Sequence, residues 1–498
     1  MKEIFAIGVG GTGAKCVEAL IHMHACGLLA DADGTQARLG VFLVEPDQQS
    51  ALLARAQTAA KRYAAMQKAC KRGTEAFARA EIKDYGHWSP LGTASSSISL
   101  DQIFPKAVLQ TQAKGLAALF DCLFPPEEQT VKLEVGFRGR PPIGSAVMSR
   151  VSLEKEAQVG HWQEMLTDVE TAAGRGDSAT IHLFGSVFGG TGASGVPTLG
   201  QLLKKWLKDK RLSTVKVQAS ILLPYFDFDG AADESTGVHA EARNFQLNTD
   251  AALQYLSSSG DVCFDRVFLV GNNVKARYGF SIGGVSQSNS AHLIELLAAL
   301  GTRHQDTNTG YAHVLSRAQP LVVGWDDIPD DEIVGEALSR GARFAVAWRN
   351  NFSLELDDAQ NVSMARFLSG APWARHFYNP SRDNTQSTGK PDIRDKEQLT
   401  VKSSIDQYCD ALLQWLNQVS TNLGSNFKQE MFSASHLEVK EGWVNDLERV
   451  VQGKARPQSQ EDADTVERIK VALDELSPDE IQNAGSAGLA DSLWRLIV

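Results

Sequence analysis

Short apolar runs alternate with helix-like stretches through the first three quarters of the chain. Ile4–Val9 is apolar and breaks into glycines, and Arg38–Val44 reads as a second strand. Val131–Phe137, Thr180–Phe184, Val215–Leu223 and Asp265–Val270 read as the third to sixth. Between them Ala14–His24, Pro197–Lys208 and His292–Leu300 carry helical patterns. Strands separated by helices predict a parallel sheet covered on both faces, an α/β fold. Such sheets bind ligands beyond the carboxyl ends of their strands, so the loops that follow the strands are where chemistry is expected.

Two regions depart from this rhythm. Residues 51–130 form an insertion that opens with an alanine-rich helical stretch and is expected to be helical. From Ala51 to Ala80 it carries Arg55, Lys61, Arg62, Lys68, Lys71, Arg72 and Arg79 against Glu75 alone. That is either a solvated helix face or a docking surface for an acidic protein partner. Beyond residue 350 polar stretches at Asn379–Glu397 and Gln452–Asp464 separate helical runs near Ile405–Leu423 and Thr465–Leu476. The organisation expected is a nucleotide-binding domain over 1–350, with a central helix near 287–302. A C-terminal region, 351–498, would be helical or mixed and could serve as an interaction module.

At 498 residues and 43% apolar content the chain can build sizeable cores, which excludes a disordered or collagen-like protein. No uncharged apolar run approaches the ~18 residues of a membrane span. The net charge of −11 argues against whole-surface nucleic-acid binding. Six scattered cysteines without a CxxC pair fit a reducing compartment and no zinc site. A cytoplasmic protein is therefore expected.

The first strand ends in Gly8-Val9-Gly10-Gly11-Thr12-Gly13-Ala14-Lys15 and runs into a helix. Glycines let backbone approach phosphate, and the helix N-terminus adds unpaired N–H groups and a positive dipole end. Alone the pattern also fits a dinucleotide site and an NAD(P)-dependent oxidoreductase, although the acidic residue expected about twenty residues on is only loosely matched by Glu45. A second loop, Gly189-Gly190-Thr191-Gly192-Ala193-Ser194-Gly195, follows the fourth strand. Two such loops on one sheet edge could hold one polyphosphate from both sides.

This pair of loops, in this order, resembles the tubulin/FtsZ superfamily, in particular its divergent bacterial branch. Gly189-Gly190-Thr191-Gly192 looks like the core of the superfamily's phosphate signature, with Phe188 in place of a glycine and Ser194 supplying a hydroxyl one residue late. The resemblance implies a Rossmann-like GTPase domain that binds GTP or GDP with Mg2+. Phosphate contacts would come from Gly10, Gly11, Thr12, Gly13, Gly139, Arg140, Gly189, Gly190, Thr191, Gly192 and Ser194. Asp47, in Val44-Glu45-Pro46-Asp47, is the carried-over acid near magnesium, and Glu45 departs from the family's asparagine. Asn272 is similar to the purine-reading asparagine, which by itself does not settle guanine over adenine, and Asn289 is a candidate second base contact. Asp327 and Asp330, in Gly324-Trp325-Asp326-Asp327-Ile328-Pro329-Asp330, reproduce an Asp-x-x-Asp spacing that in the superfamily enters the neighbouring subunit's site and polarises the attacking water. Trp325 replaces an asparagine there. The implied protein self-associates head-to-tail, as a homo-oligomer or filament, and hydrolyses GTP at the junction. A regulatory scaffold with little turnover, docking a partner through 51–80 or the C-terminal region, is the second reading.

Overall fold

The computed structural model describes residues 2–30, 34–70, 77–92, 98–228, 240–272, 275–279, 281, 283–303, 312–315, 322–378, 390–422, 428–439, 444–453, 464–481 and 483–497. The expectations for Lys71, Arg72, Glu75, 379–389 and 454–463 lie outside the described residues.

Seven strands form one sheet: β1 (Lys2–Val9), β2 (Arg38–Val44), β3 (Glu81–Trp88), β4 (Ser178–Ser186), β5 (Lys216–Leu222), β6 (Arg266–Val270) and β7 (Ala312–Leu315). Their order is β3-β2-β1-β4-β5-β6-β7 and every pairing is parallel. The strand order reverses beside β1 and β4, the topological switch point where a parallel α/β sheet opens a crevice at its carboxyl edge. Side chains of β1 alternate between two cores. Ile4 and Ala6 join one, while Phe5, Ile7 and Val9 join the other, which is why the strand reads as a continuous apolar run.

Helices cover both faces: α1 (Gly10–Ala25), α2 (Ala51–Ala69), α3 (Pro141–Met148), α4 (Gly160–Arg175), α5 (Gly190–Asp209), α6 (Phe245–Cys263), α7 (Leu293–Leu300), α8 (Asp331–Ala347) and α9 (Lys396–Thr421). Strand β1 passes into α1 without a loop, and β4 enters α5 after Val187-Phe188-Gly189. Among the described residues no helix is long and apolar enough to cross a membrane.

Three sequence expectations are corrected. Val131–Phe137 is not a strand: Leu133 and Phe137 pack with Ile103, Phe120 and Phe124 in a separate small core, and Gly136 at φ +85° ends any extended run. Glu81–Trp88 takes the edge place instead, so the 51–130 insertion is not purely helical. Its polar residues alternate on a half-exposed edge strand, which hides the apolar signal. The central helix is Leu293–Leu300, shorter than 287–302, because His292 caps it. The His292 Nδ1 accepts from the Ile294 N–H (3.1 Å), and Glu295 accepts from the His292 N–H (2.9 Å).

The C-terminal region is not a separate packing unit. Helix α8 continues through Trp348–Phe352 into Ser353–Gln360 across residue 350, and one apolar core extends from Ile4 to Ile497. Helix α9 lies against α2, and its Trp415 stacks on His22 of α1 with ring centroids 5.0 Å apart.

Candidate functional site

The two glycine turns meet at the carboxyl edge of the sheet. Gly10 has φ +77°, a conformation natural to glycine, and a Cβ on it would lie 3.2 Å from the Thr191 Cβ and 3.3 Å from the Gly192 nitrogen. Gly13 allows α1 to lie against the strands, since a Cβ there would stand 2.4 Å from the Phe184 carbonyl oxygen. The N-termini of α1 and α5 therefore converge. Each brings backbone N–H groups without an intrahelical acceptor and the positive end of a helix dipole.

A cleft opens in front of these turns. Gly10, Gly11 and Thr12 line it together with Gly189, Gly190, Thr191 and Gly192. Glu45 and Asp47, just past β2, and the loop Val135–Gly139 line it too, the loop's Phe137 lying against Gly190. Packed rings, Phe188, Tyr225, Phe226 and Tyr278, also line it, with Phe228 and Asn289. Backbone donors and flat apolar rings in one cleft suit an anion carrying a ring system.

Four charged side chains line the cleft. Glu45 is 6% exposed, and its carboxylate accepts from the Asp47 N–H (3.1 Å). Burial pushes its pKa up to about 8, and the Asp47 N–H offsets only part of that rise. Asp47 is buried as well, with Oδ2 accepting from the Gly284 N–H (2.6 Å) and Oδ1 from the Gln49 N–H (3.0 Å). Lys15 stands one helical turn below Gly11, where its ammonium pairs with the buried Glu295 of α7. Tyr225 donates its hydroxyl to the same carboxylate (2.5 Å). The ammonium lies 5.7 Å from the Tyr225 ring centre and 5.6 Å from that of Tyr278. Arg138 adopts φ +52°, an unusual backbone for a non-glycine residue, and donates to the Lys132 carbonyl (3.1 Å).

Of the residues singled out from sequence, Gly10, Gly11, Thr12, Asp47, Gly139, Gly189, Gly190, Thr191, Gly192 and Asn289 are brought together on this cleft. Gly13 lies beneath it, as packing. The Ser194 hydroxyl turns back onto the Gly190 carbonyl (2.8 Å) and does not line the cleft. Arg140 pairs with Glu128 at 3.4 Å, and Arg138 takes the place facing the cleft. Asn272 follows β6 outside the cleft lining. Asp327 and Asp330 stand elsewhere. Asp327 caps its own turn by accepting from the Gly324 N–H (2.8 Å), and Asp330, at φ +56°, lies 3.5 Å from the Arg303 guanidinium. Arg303 in turn donates to the Leu28 carbonyl, just past the far end of α1. A 16-residue helix is about 24 Å long, so that loop sits at the opposite edge of the sheet from Gly10. Trp325 is buried against Phe432 (ring centroids 5.2 Å apart), with its indole N–H on the Gln452 carbonyl (2.8 Å), which fixes this loop to the C-terminal region.

Sequence reasoning passed over Lys15 and Tyr278 as site residues. Lys15 was detectable, since position i+4 from Gly11 shares its helix face. Tyr278 ends a short strand, Ala276–Tyr278, that only the fold brings to the cleft.

Fold and site together define a parallel α/β protein of Rossmann-like strand order with a double glycine-turn cleft at the switch point. No family model and no curated protein matches the chain. Among solved structures it is similar to CetZ1 from Haloferax volcanii, described as a GDP-bound monomer, at 14% identity over 55% of this chain and 52% of that one, with a TM-score of 0.27. It is also similar to CetZ from Methanosaeta thermophila strain DSM 6194, at 13% identity over 62% and 56%, with a TM-score of 0.26. The chain spans a little over half the length of these proteins. The functional reading stands on the chain's own cleft.

Proposed function

We propose that this protein binds a purine nucleoside triphosphate, GTP by the superfamily resemblance, with its polyphosphate between the Gly10 and Gly190 turns. The contact of Gly10 with Thr191 carries this reading, because one ligand can then use amides from both helix N-termini. The aromatic side chains of the cleft, with Asn289, take the base. Asp47 holds Mg2+: its buried carboxylate beside the phosphate donors suits an ion that takes few carboxylates and completes its shell with phosphate oxygens and water.

Hydrolysis is completed between two copies. Asp327 and Asp330 lie at the opposite edge of the sheet from their own cleft, so only a second copy stacked head-to-tail can present them to it. A heterologous contact of this kind continues into a filament unless its geometry closes a ring. Exposed Leu247, next to the cleft residue Phe245, and exposed Ile333, next to the Asp330 loop, are apolar groups available at either side of such a junction.

Mixing two inactive variants tests the arrangement. Asp327→Asn/Asp330→Asn keeps an intact cleft, and Gly10→Ala keeps an intact aspartate loop. The mixture is expected to hydrolyse GTP faster than the sum of the two alone. A mixture no faster than that sum, or normal turnover by the aspartate variant, refutes hydrolysis in trans. The scaffold reading draws on Ser194, whose hydroxyl is spent within its own helix. Single-turnover rates in the wild-type chain separate it from a working GTPase.

A further inference from the structure

Helix α2 carries no acidic residue in its 19 positions. Its exposed stripe is Ala54, Thr58, Lys61, Ala65 and Lys68, at helical spacing, with Arg62 half-buried beside Lys61. Among the described residues none of these three cations has an ion-pair partner, whereas Arg55, nearer the start of the helix, is bound to Glu18. The stripe has no large apolar side chain of the kind that inserts into a lipid surface. A chain of net charge −11 is poorly suited to nucleic acid. What fits the stripe is an acidic helix, and the chain carries one. Helix α10 (Val466–Glu475) buries Val466, Ile469 and Leu473 and exposes Glu467, Val471, Asp474 and Glu475. Val471 is 58% exposed. The last turn holds no basic residue, so Asp474 and Glu475 stand at the negative end of the helix dipole without a compensating cation. The cations of α10, Arg468 and Lys470, are turned to Asp464 and Glu355.

The two stripes share one spacing. Lys61, Ala65 and Lys68 stand at i, i+4 and i+7, and so do Glu467, Val471 and Asp474. In each the charges are two turns, about 10 Å, apart along the axis. Laid together, the stripes set two cations against two carboxylates and Val471 over the small Ala65. Within one chain no ion pair joins them among the described residues: α10 packs on the last helix, Gly485–Leu496, that helix on α9, and α9 on α2. We propose that α2 of one copy docks on α10 of another. The two stripes differ, so the contact is heterologous and leaves an α2 free at one end and an α10 free at the other. Two helical turns a side are small beside the about 800 Å² per partner of a standard interface, so the contact is weak between free chains and gains strength between copies already held together. Neither the cleft nor the Asp330 loop takes part.

Sedimentation of the full chain, without nucleotide and with EDTA, at up to several hundred micromolar reads the contact. Wild type is expected to self-associate at about 50 mM salt and at least about fivefold more weakly at about 300 mM. Lys61→Glu/Lys68→Glu and Glu467→Lys/Asp474→Lys each place like charges across the contact, and each should associate at least about tenfold more weakly than wild type. Both change exposed side chains alone, and urea midpoints check that each is folded. Mixed, the two variants again oppose unlike charges, α2 of the first on α10 of the second and the reverse. The mixture is expected to return to within about threefold of wild type. A mixture no better than either variant alone, or self-association that neither variant changes, overturns the proposal. A wild type that stays monomeric at low salt overturns it as well, and poly-glutamate binding by that monomer through Lys61 and Lys68 would assign the stripe to a different acidic protein. All of these outcomes leave the nucleotide reading of the cleft untouched.

Discussion

Replacing Gly10 with alanine tests whether contact between the two turns matters, and Gly176 supplies an internal control. Both glycines are left-handed, at φ +77° and +78°. Gly176 caps α4 in open space, with no atom within 4 Å of an added Cβ. Gly176→Ala therefore carries only the backbone penalty, about 1–2 kcal/mol. Gly10→Ala carries the same penalty and also drives a methyl to 3.2 Å from the Thr191 Cβ and 3.3 Å from the Gly192 nitrogen. Crowding of that kind adds about 1–3 kcal/mol. Its relief moves the second turn away from the first, and a phosphate that loses one charge-assisted bond binds at least about tenfold more weakly. Urea unfolding and equilibrium binding of a GTP analogue read the two effects separately. The expected pattern is a modest loss of stability with unchanged affinity for Gly176→Ala, and a larger loss of both for Gly10→Ala. Equal affinity in the two variants would refute the argument that the turns act on one ligand.

Two further outcomes follow from buried charge. Lys15→Met leaves the Glu295 carboxylate buried without its cation and should cost about 3–5 kcal/mol, most of it recovered by adding Glu295→Gln. A double variant no more stable than the single one, by urea midpoint, contradicts the pairing. Burial holds His22, His182 and His292 near pKa 3 and His24 near 4, against about 6.5 in an unfolded chain. These depressed values leave stability intact above about pH 6.5 and remove about 1.4 kcal/mol per histidine for each unit below it, until the folded pKa is reached. Glu45, raised to about 8, acts with the opposite sign over the same range and cancels one histidine's share. Glu18, Glu128 and Glu355, also raised by burial, act in the same sense as Glu45, and the balance set by the four histidines should make unfolding midpoints fall between about pH 6 and 5. A flat profile there shows that the histidines are not buried as neutral groups.

Much of the sheet was legible because parallel strands buried on both faces are apolar throughout. Strands β1, β2, β4, β5 and β6 announce themselves in this way, and the glycines after β1 and β4 mark the turns. Edge strand β3 did not. Glu81, Lys83, Asp84 and His87 make it look like a solvated segment, while Val131–Phe137 alternates perfectly yet packs as a loop on Leu133 and Phe137. Local periodicity reports burial, and either kind of backbone can supply it. At the site the two glycine turns were readable because their sequence pattern is local. Lys15 with Glu295, and Asp47 with the Gly284 N–H, pair residues far apart in sequence, and no spacing rule joins them. Arg140 was the arginine singled out in sequence, but it pairs with Glu128, and the neighbouring Arg138, on a left-handed backbone, lines the cleft instead.

The most direct test is to denature the purified chain, identify the nucleotide it releases and count it per chain. The account predicts a guanine nucleotide at up to one per chain, absent from Gly10→Ala and retained by Gly176→Ala. A nicotinamide dinucleotide in its place, or equal occupancy in both variants, would contradict it.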